Sequence, residues 1–284
     1  TFVPVFDKEK VQSIGSIAVY QKNPSIVWAG TGEGNPRNSN DGGYGIYRSL
    51  NGGESWELMG LEKTRHIYRV VTHPDNPDVV WAAAIGSPWG EHEERGVYKT
   101  TDGGKSWRKV LYVNPKVGAA DLVIDPSNPN KLFAAMWEHK REPWFFTSGG
   151  PGSGLYVTED GGETWEQRTA EDGLPKGDLG RIGLAVAPSS PDVVYALVES
   201  KKNAFYRSED GGKTWKKQTD RGLFGDRPFY YADIFVDSKN ENRVYSLFSR
   251  VAMSEDGGKN WEVLLPYFGV HPDHHAWWVH PEDP

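Results

Sequence analysis

Short runs of alternating apolar and polar residues recur along the whole chain, separated by residues that favour turns. IAVYQKNPSIVWAG, VVTHPDNPDVVWAA, LVIDPSNPNKLFAA, LAVAPSSPDVVYAL and IFVDSKNENRVYSL each read as two strands around a Pro/Asn-rich turn. Downstream comes a second pair, in which GIYRS, GVYKT, GLYVT or AFYRS leads into a turn and WELM, WRKV, WEQR, WKKQ or WEVL leads out of it. A side-chain period of two predicts strands in every case. The unit therefore holds four strands, a to d, and the predicted units cover residues 13–58, 65–111, 117–168, 179–218 and 229–264. Four-stranded units of about 40 to 50 residues are how β-propeller blades read, so the expected fold is an all-β propeller with five full blades.

The turn between strands c and d is nearly constant: SLNGGESW, TTDGGKSW, TEDGGETW, SEDGGKTW and SEDGGKNW. Asn51, Asp102, Asp160, Asp210 and Asp256 mark these boxes, 46 to 58 residues apart. Glycine admits the positive φ of a tight hairpin, and the acid or amide can accept N–H bonds inside it. That chemistry explains the boxes as turn staples without five ion sites. Trp56, Trp107, Trp165, Trp215 and Trp261 are expected to pin each turn to its own sheet. Residues 1–7 and 274–284 read as partial strands of further blades, which predicts either an excerpt of a longer propeller or terminal strands that share a blade.

With its spacing, the box resembles the Asp-box, or BNR repeat, S/T-x-D-x-G-x-T/S-W. That repeat occurs in sialidases, xyloglucan-degrading glycoside hydrolases, photosystem II assembly factors and sortilin-type receptors. GTGEGNPRNS, GGPGSGLYVTEDGG, DLGRIGLAVAP and DHHAWWVHP resemble most the bacterial proteins related to the sortilin-type propeller and often labelled glycosyl hydrolase. The resemblance implies a ring that presents loops to a peptide, protein or glycan, and a periplasmic or extracellular location with any signal peptide lying before Thr1. It also leaves open glycoside hydrolysis, or a scaffold role within a larger parent protein or complex.

Composition narrows the partners. Only 37% of residues are hydrophobic, yet there are 33 Gly, 19 Pro and 12 Trp, which suits short strands and many turns. A net charge of -7 without a basic run argues against a nucleic-acid partner. No stretch of about 18 apolar residues predicts membrane insertion. The absence of cysteine removes thiolate metal sites and thiol nucleophiles, and no cofactor is expected.

In a propeller the b–c and d–a connections share one face, so candidate chemistry belongs there. Three b–c connections are long, at 30–43, 84–95 and 136–154. They carry Glu33, Arg37, Trp89, Glu91, His92, Glu94, Arg95, Trp137, Glu138, His139, Arg141 and Trp144, a set suited to stacking on sugars or gripping a peptide. The d–a side adds His66, Arg69, Asp121, Asp178, Arg181, Tyr231, Asp233 and His274. Arg69 or Arg181 paired with Asp121, Asp178 or Asp233 across blades would satisfy the buried charges there. Glycoside hydrolysis would call for two carboxyl groups, with Glu33, Asp178, Asp233 and Asp273 as candidates. No Phe-Arg-Ile-Pro motif marks a sialidase. His271, Asp273, His274 and His275 cluster, but neighbouring histidines on a strand face opposite ways, so no metal site is expected.

Overall fold

The computed structural model describes residues 2–222, 224–225 and 227–284; Thr1, at the start of the first expected partial strand, lies outside them. Five antiparallel sheets follow one another along the chain. Blade I is β1 (Ile14–Val19), β2 (Val27–Thr31), β3 (Ile46–Ser49) and β4 (Glu57–Leu58). Blade II is β5 (Ile67–Thr72), β6 (Val80–Ala84), β7 (Gly96–Thr100) and β8 (Arg108–Leu111). Blade III is β9 (Val117–Asp125), β10 (Asn128–Glu142), β11 (Phe145–Ser148), β12 (Gly154–Thr158) and β13 (Glu166–Arg168). Blade IV is β14 (Ile182–Val186), β15 (Val194–Val198), β16 (Ala204–Ser208) and β17 (Lys216–Thr219). Blade V is β18 (Ile234–Val236), β19 (Val244–Leu247), β20 (Val251–Ser254) and β21 (Glu262–Leu265). The fold is a β-propeller.

Strand b shows why the sheets stack as blades. β2, β6 and β15 are buried at every residue; for β6 and β15 a blade lies on either side, and for β2 blade II covers one side while Phe6 packs against Tyr47 and Trp56. Such strands read as continuous apolar runs, VWAGT, VWAAA and VYALV, and lack the alternation of a half-solvated strand. Each first strand touches the next around the ring: β1 on β5, β5 on β9, β9 on β14 and β14 on β18. Apolar clusters accordingly span neighbours, one joining Trp28, Ile46 and Met59 of blade I to Ile67, Val80 and Ala82 of blade II.

The boxes fold as expected at the turn and differently at the tryptophan. In blade II the Thr100 hydroxyl donates to Asp102 Oδ1 at 2.8 Å and accepts from the Gly104 N–H. Asp102 accepts from the N–H of Ser106 and from its hydroxyl. The first box glycine then donates to the a–b turn of the same sheet, as Gly103 N–H does to Asp78 O. Trp107, however, packs backwards onto blade I: its indole N–H donates to Met59 O at 2.7 Å, and its ring meets Trp28 edge-on. Trp261 meets Phe205 of blade IV likewise. The expectation that each tryptophan pins its own sheet is thus corrected, since the apolar surface available to a c–d turn belongs to the preceding blade.

Two further expectations change. Residues 136–154, read as a loop, contain the end of β10 and its return as β11, paired from His139 with Ser148 to Glu142 with Phe145. The backbone there closes its own hydrogen bonds as a protruding hairpin. The segments expected as partial strands carry no ladder among the described residues. Phe6 packs edge-on against Tyr47 and Trp56 of blade I. Residues 274–282 lie along blade V, with His274 N–H on Phe248 O, Trp277 against Tyr245, and Ser238 donating to His280 O.

Candidate functional site

The first strands and the segment 273–277 surround a cavity of about 1180 Å³ along the axis of the ring. Its mouth is built where strands β5, β9 and β18 begin. Arg69 on β5 donates from Nε to Asp121 Oδ1 of β9 at 2.9 Å, and from its other arm to Asp233, the residue before β18. Tyr68 adds its hydroxyl to Asp233 at 2.9 Å. Asp121 accepts the Leu184 N–H through its second oxygen, which ties blade III to blade IV. Both carboxylates are nearly buried, at 3% and 2% exposure for Asp121 and Asp233. Burial alone would raise the Asp233 carboxyl, but Arg69 beside it holds it below the usual carboxylate range.

A second set of contacts sits beside the first. Arg181, before β14, donates to Asn35 Oδ1 at 2.9 Å and to Phe229 O at 3.0 Å. Its guanidinium lies over the rings of Tyr68 and Trp137. Asn35 in turn contacts His275 Nδ1 at 3.0 Å, and His275 Nε2 lies 3.0 Å from Asp273 Oδ1. The Tyr231 hydroxyl donates to Asp273 at 2.8 Å, and that of Tyr230 reaches its other oxygen at 3.3 Å. Burial would raise the Asp273 carboxyl, yet these donors leave it lowered.

Of the residues singled out by sequence, Arg69, Asp121, Asp233, Arg181, Tyr231 and Asp273 therefore meet at the mouth. Glu33 lines it too, exposed, with its carboxylate accepting the Asp41 N–H inside its own loop. Arg37 is exposed and stands over Tyr230. Asp178 is exposed and does not line this cavity. At the mouth it is His275 that contacts Asn35 and Asp273, while His274 donates its backbone N–H to Phe248 O. His271 stays exposed. Among the described residues no cluster of three His, Asp or Glu has the geometry to hold a metal ion.

Several expected contact residues are structural. Arg95 is fully buried and donates to Ser87 O, Gly90 O, His139 O and Lys116 O, holding the blade II loop against blade III. Trp137 and His139 are buried and stacked on each other at 4.3 Å. His66 is buried, and desolvation lowers it to about 4. His92 and Arg141 are half-buried, Arg141 over Phe146. What remains open are the loop tips: Trp89 is 44% exposed, Trp144 81% and Phe145 62%. The blade II loop and the β10–β11 hairpin form one wall, since Arg141 N–H donates to Pro88 O at 2.6 Å. A smaller cavity of about 250 Å³ opens between them, lined by Glu91, Lys116, Glu138, His139 and Lys140. The sequence pattern did not single out Tyr68, Tyr230 or Asn35, whose alternation with core positions is ordinary strand and loop pattern, and it offered His275 only as a member of the histidine cluster weighed for a metal.

Comparison with known proteins adds three findings. The family described as "Sortilin, neurotensin receptor 3" matches residues 44–173, and the BNR/Asp-box repeat matches residues 206–217. A probable oligoxyloglucan-reducing end-specific xyloglucanase of Neosartorya fischeri is 28% identical over 132 residues, 44% of this chain and 14% of that protein. Among solved structures, the GH74 xyloglucanase from Xanthomonas campestris aligns with a TM-score of 0.66 at 17% identity, over 88% of this chain and 39% of that one. An ancestral GH74 enzyme gives 0.67 at 19%, over 95% and 33%. YCF48 bound to D1 peptide gives 0.57 at 15%, over 95% and 73%. The chain thus spans a small part of the curated relative and about a third of the GH74 enzymes. These likenesses share a fold.

Proposed function

Because the chain is an Asp-box (BNR) repeat β-propeller related to glycosyl-hydrolase-like proteins, we propose that it is a recognition module whose mouth-side face binds an extended peptide or glycan. One observation carries this reading. The buried carboxylates of the mouth, Asp121 and Asp233, are neutralised by Arg69 across blades, while the accessible loop tips present Trp89, Trp144 and Phe145. Flat aromatic faces stack on sugar rings or peptide side chains at little entropic cost. Arg37 and Glu33 supply exposed charge at the mouth itself.

The arrangement does not favour glycoside hydrolysis. A general acid in such a reaction needs a carboxyl whose pKa is raised. Asp233 and Asp273 are both lowered, and both are saturated with donors. A periplasmic or extracellular setting suits a glycan or peptide ligand; among the described residues no helix is long and apolar enough to cross a membrane.

Glycan and peptide arrays, run beside hydrolysis assays on polysaccharides, test the reading. Ligand capture by the wild type should fall at least tenfold in Trp144→Ala, the loss of one stacking platform, which corresponds to about 1.4 kcal/mol or more. No polysaccharide should be cleaved. Hydrolysis that Asp233→Asn or Glu33→Gln abolishes would replace recognition with catalysis.

A further inference from the structure

The tie between Asn35 and His275 has a fixed polarity. Arg181 can only donate, so the Asn35 atom facing it must be the carbonyl oxygen, and the amide nitrogen must face His275 Nδ1. Nδ1 is then an acceptor without a proton, and the proton of the neutral ring sits on Nε2, where Asp273 accepts it. This chain of donors joins Arg181 at the foot of β14, the blade I loop 32–43 and the segment 271–277.

We propose that His275 is a proton-operated latch that ties the segment 271–277 to the blade I loop and so sets the opening of the channel mouth. A proton added at Nδ1 would place two donors face to face across the 3.0 Å contact with Asn35. The same proton would be drawn to Asp233 Oδ2, 4.0 Å away. The ring leaves Asn35, and the blade I loop loses its hold on the segment. Asp273 has a backbone φ of 124°, a conformation costly for a residue with a Cβ. Release of the latch lets it relax, which favours the open state once it is reached.

The groups around the ring set the direction. Asp273 faces it from its own segment, Asp233 from just before β18 and Arg181 from just before β14, while Tyr231 stacks on the ring and Tyr230 meets it perpendicularly. Arg69 stands behind Asp233 and already claims it. Burial lowers the imidazole below its ordinary 6.5, Asp233 and Asp273 oppose this, and Arg181 adds to it. A lowered folded value favours the neutral ring, so the latch is shut at neutral pH and opens as pH falls.

As control of the proposed recognition face, the latch rests on that reading, but its test needs no ligand. Hydrogen exchange of the whole chain should show protection of loop 32–43 and segment 271–277 falling together on acidification. The fall should reach about tenfold per pH unit between 6.5 and the lowered value, the linkage of one proton. His275→Gln keeps a donor and an acceptor but cannot titrate, and should stay protected throughout. Nitrogen shifts of labelled histidine should report the Nε2–H form and a midpoint below 6.5. An unchanged acid response in His275→Gln, no response in the wild type, or an Nδ1–H ring at neutral pH would each overturn the latch. Array binding that fails while the exchange response survives would remove the recognition reading and leave the latch standing.

Discussion

Arg69 faces two carboxylates at once, Asp121 and Asp233, and both are almost wholly withdrawn from water. Removing the guanidinium would strand two buried charges, which costs far more than the intact pair contributes. Arg69→Met should lower stability to urea by about 3 to 5 kcal/mol, and adding Asp233→Asn should recover part of that loss. A change within about 1 kcal/mol would mean that the cluster is not holding the blades. A box aspartate offers a second residue-scale test, read by pH. Hydrogen bonds from the Ser106 hydroxyl and N–H lower Asp102 to about 2. A lowered carboxyl adds stability above its ordinary value of 3.8, and that addition is lost as pH falls towards 2. The thermal midpoint should therefore drop between those values, and the drop should be shallower in Asp102→Asn. The blade I box already carries Asn51, which accepts the Ser49 hydroxyl in the same place without titrating.

At the scale of the element, the box is a joint between blades more than a turn within one. Gly104 has φ of 92°, and a Cβ there would stand 2.8 Å from the Trp28 ring of blade I. Gly52, with φ of 73°, would meet nothing within 4 Å. Gly52→Ala should cost only the left-handed backbone penalty of about 1 to 2 kcal/mol. Gly104→Ala should cost clearly more, because it adds a clash with a buried ring. Equal losses in a denaturant titration would show that close approach to the neighbouring blade is not why the second glycine is there. The β10–β11 hairpin is the other element that defines this protein. Its pairing was hidden in the sequence because EHKREPWFFTS alternates poorly and carries a proline, whereas the structure closes the turn at Pro143 and Trp144.

For the whole molecule, acid stability should reflect its buried histidines. Burial lowers His66 to about 4 and takes His139 well below the ordinary 6.5, so both are neutral when folded. Unfolding exposes them to protons, so their contribution is complete above 6.5 and declines as pH falls towards the lowered values. The melting temperature should fall between pH 6.5 and 4, and His66→Gln should flatten part of that decline; an unchanged slope would put the acid sensitivity elsewhere. The sequence by itself determined the repeat, the strand order within each blade and the glycine turns, because these depend on residues a few positions apart. Tertiary structure decided which of the expected pairings form, with Arg69 taking both Asp121 and Asp233, and it alone decided that Trp107 belongs to the blade before its own and that His275 joins Asn35 where His274 was expected. Those contacts bring together residues from 48 to 240 positions apart, and only the arrangement of the blades around one axis, which no local pattern encodes, sets such distances.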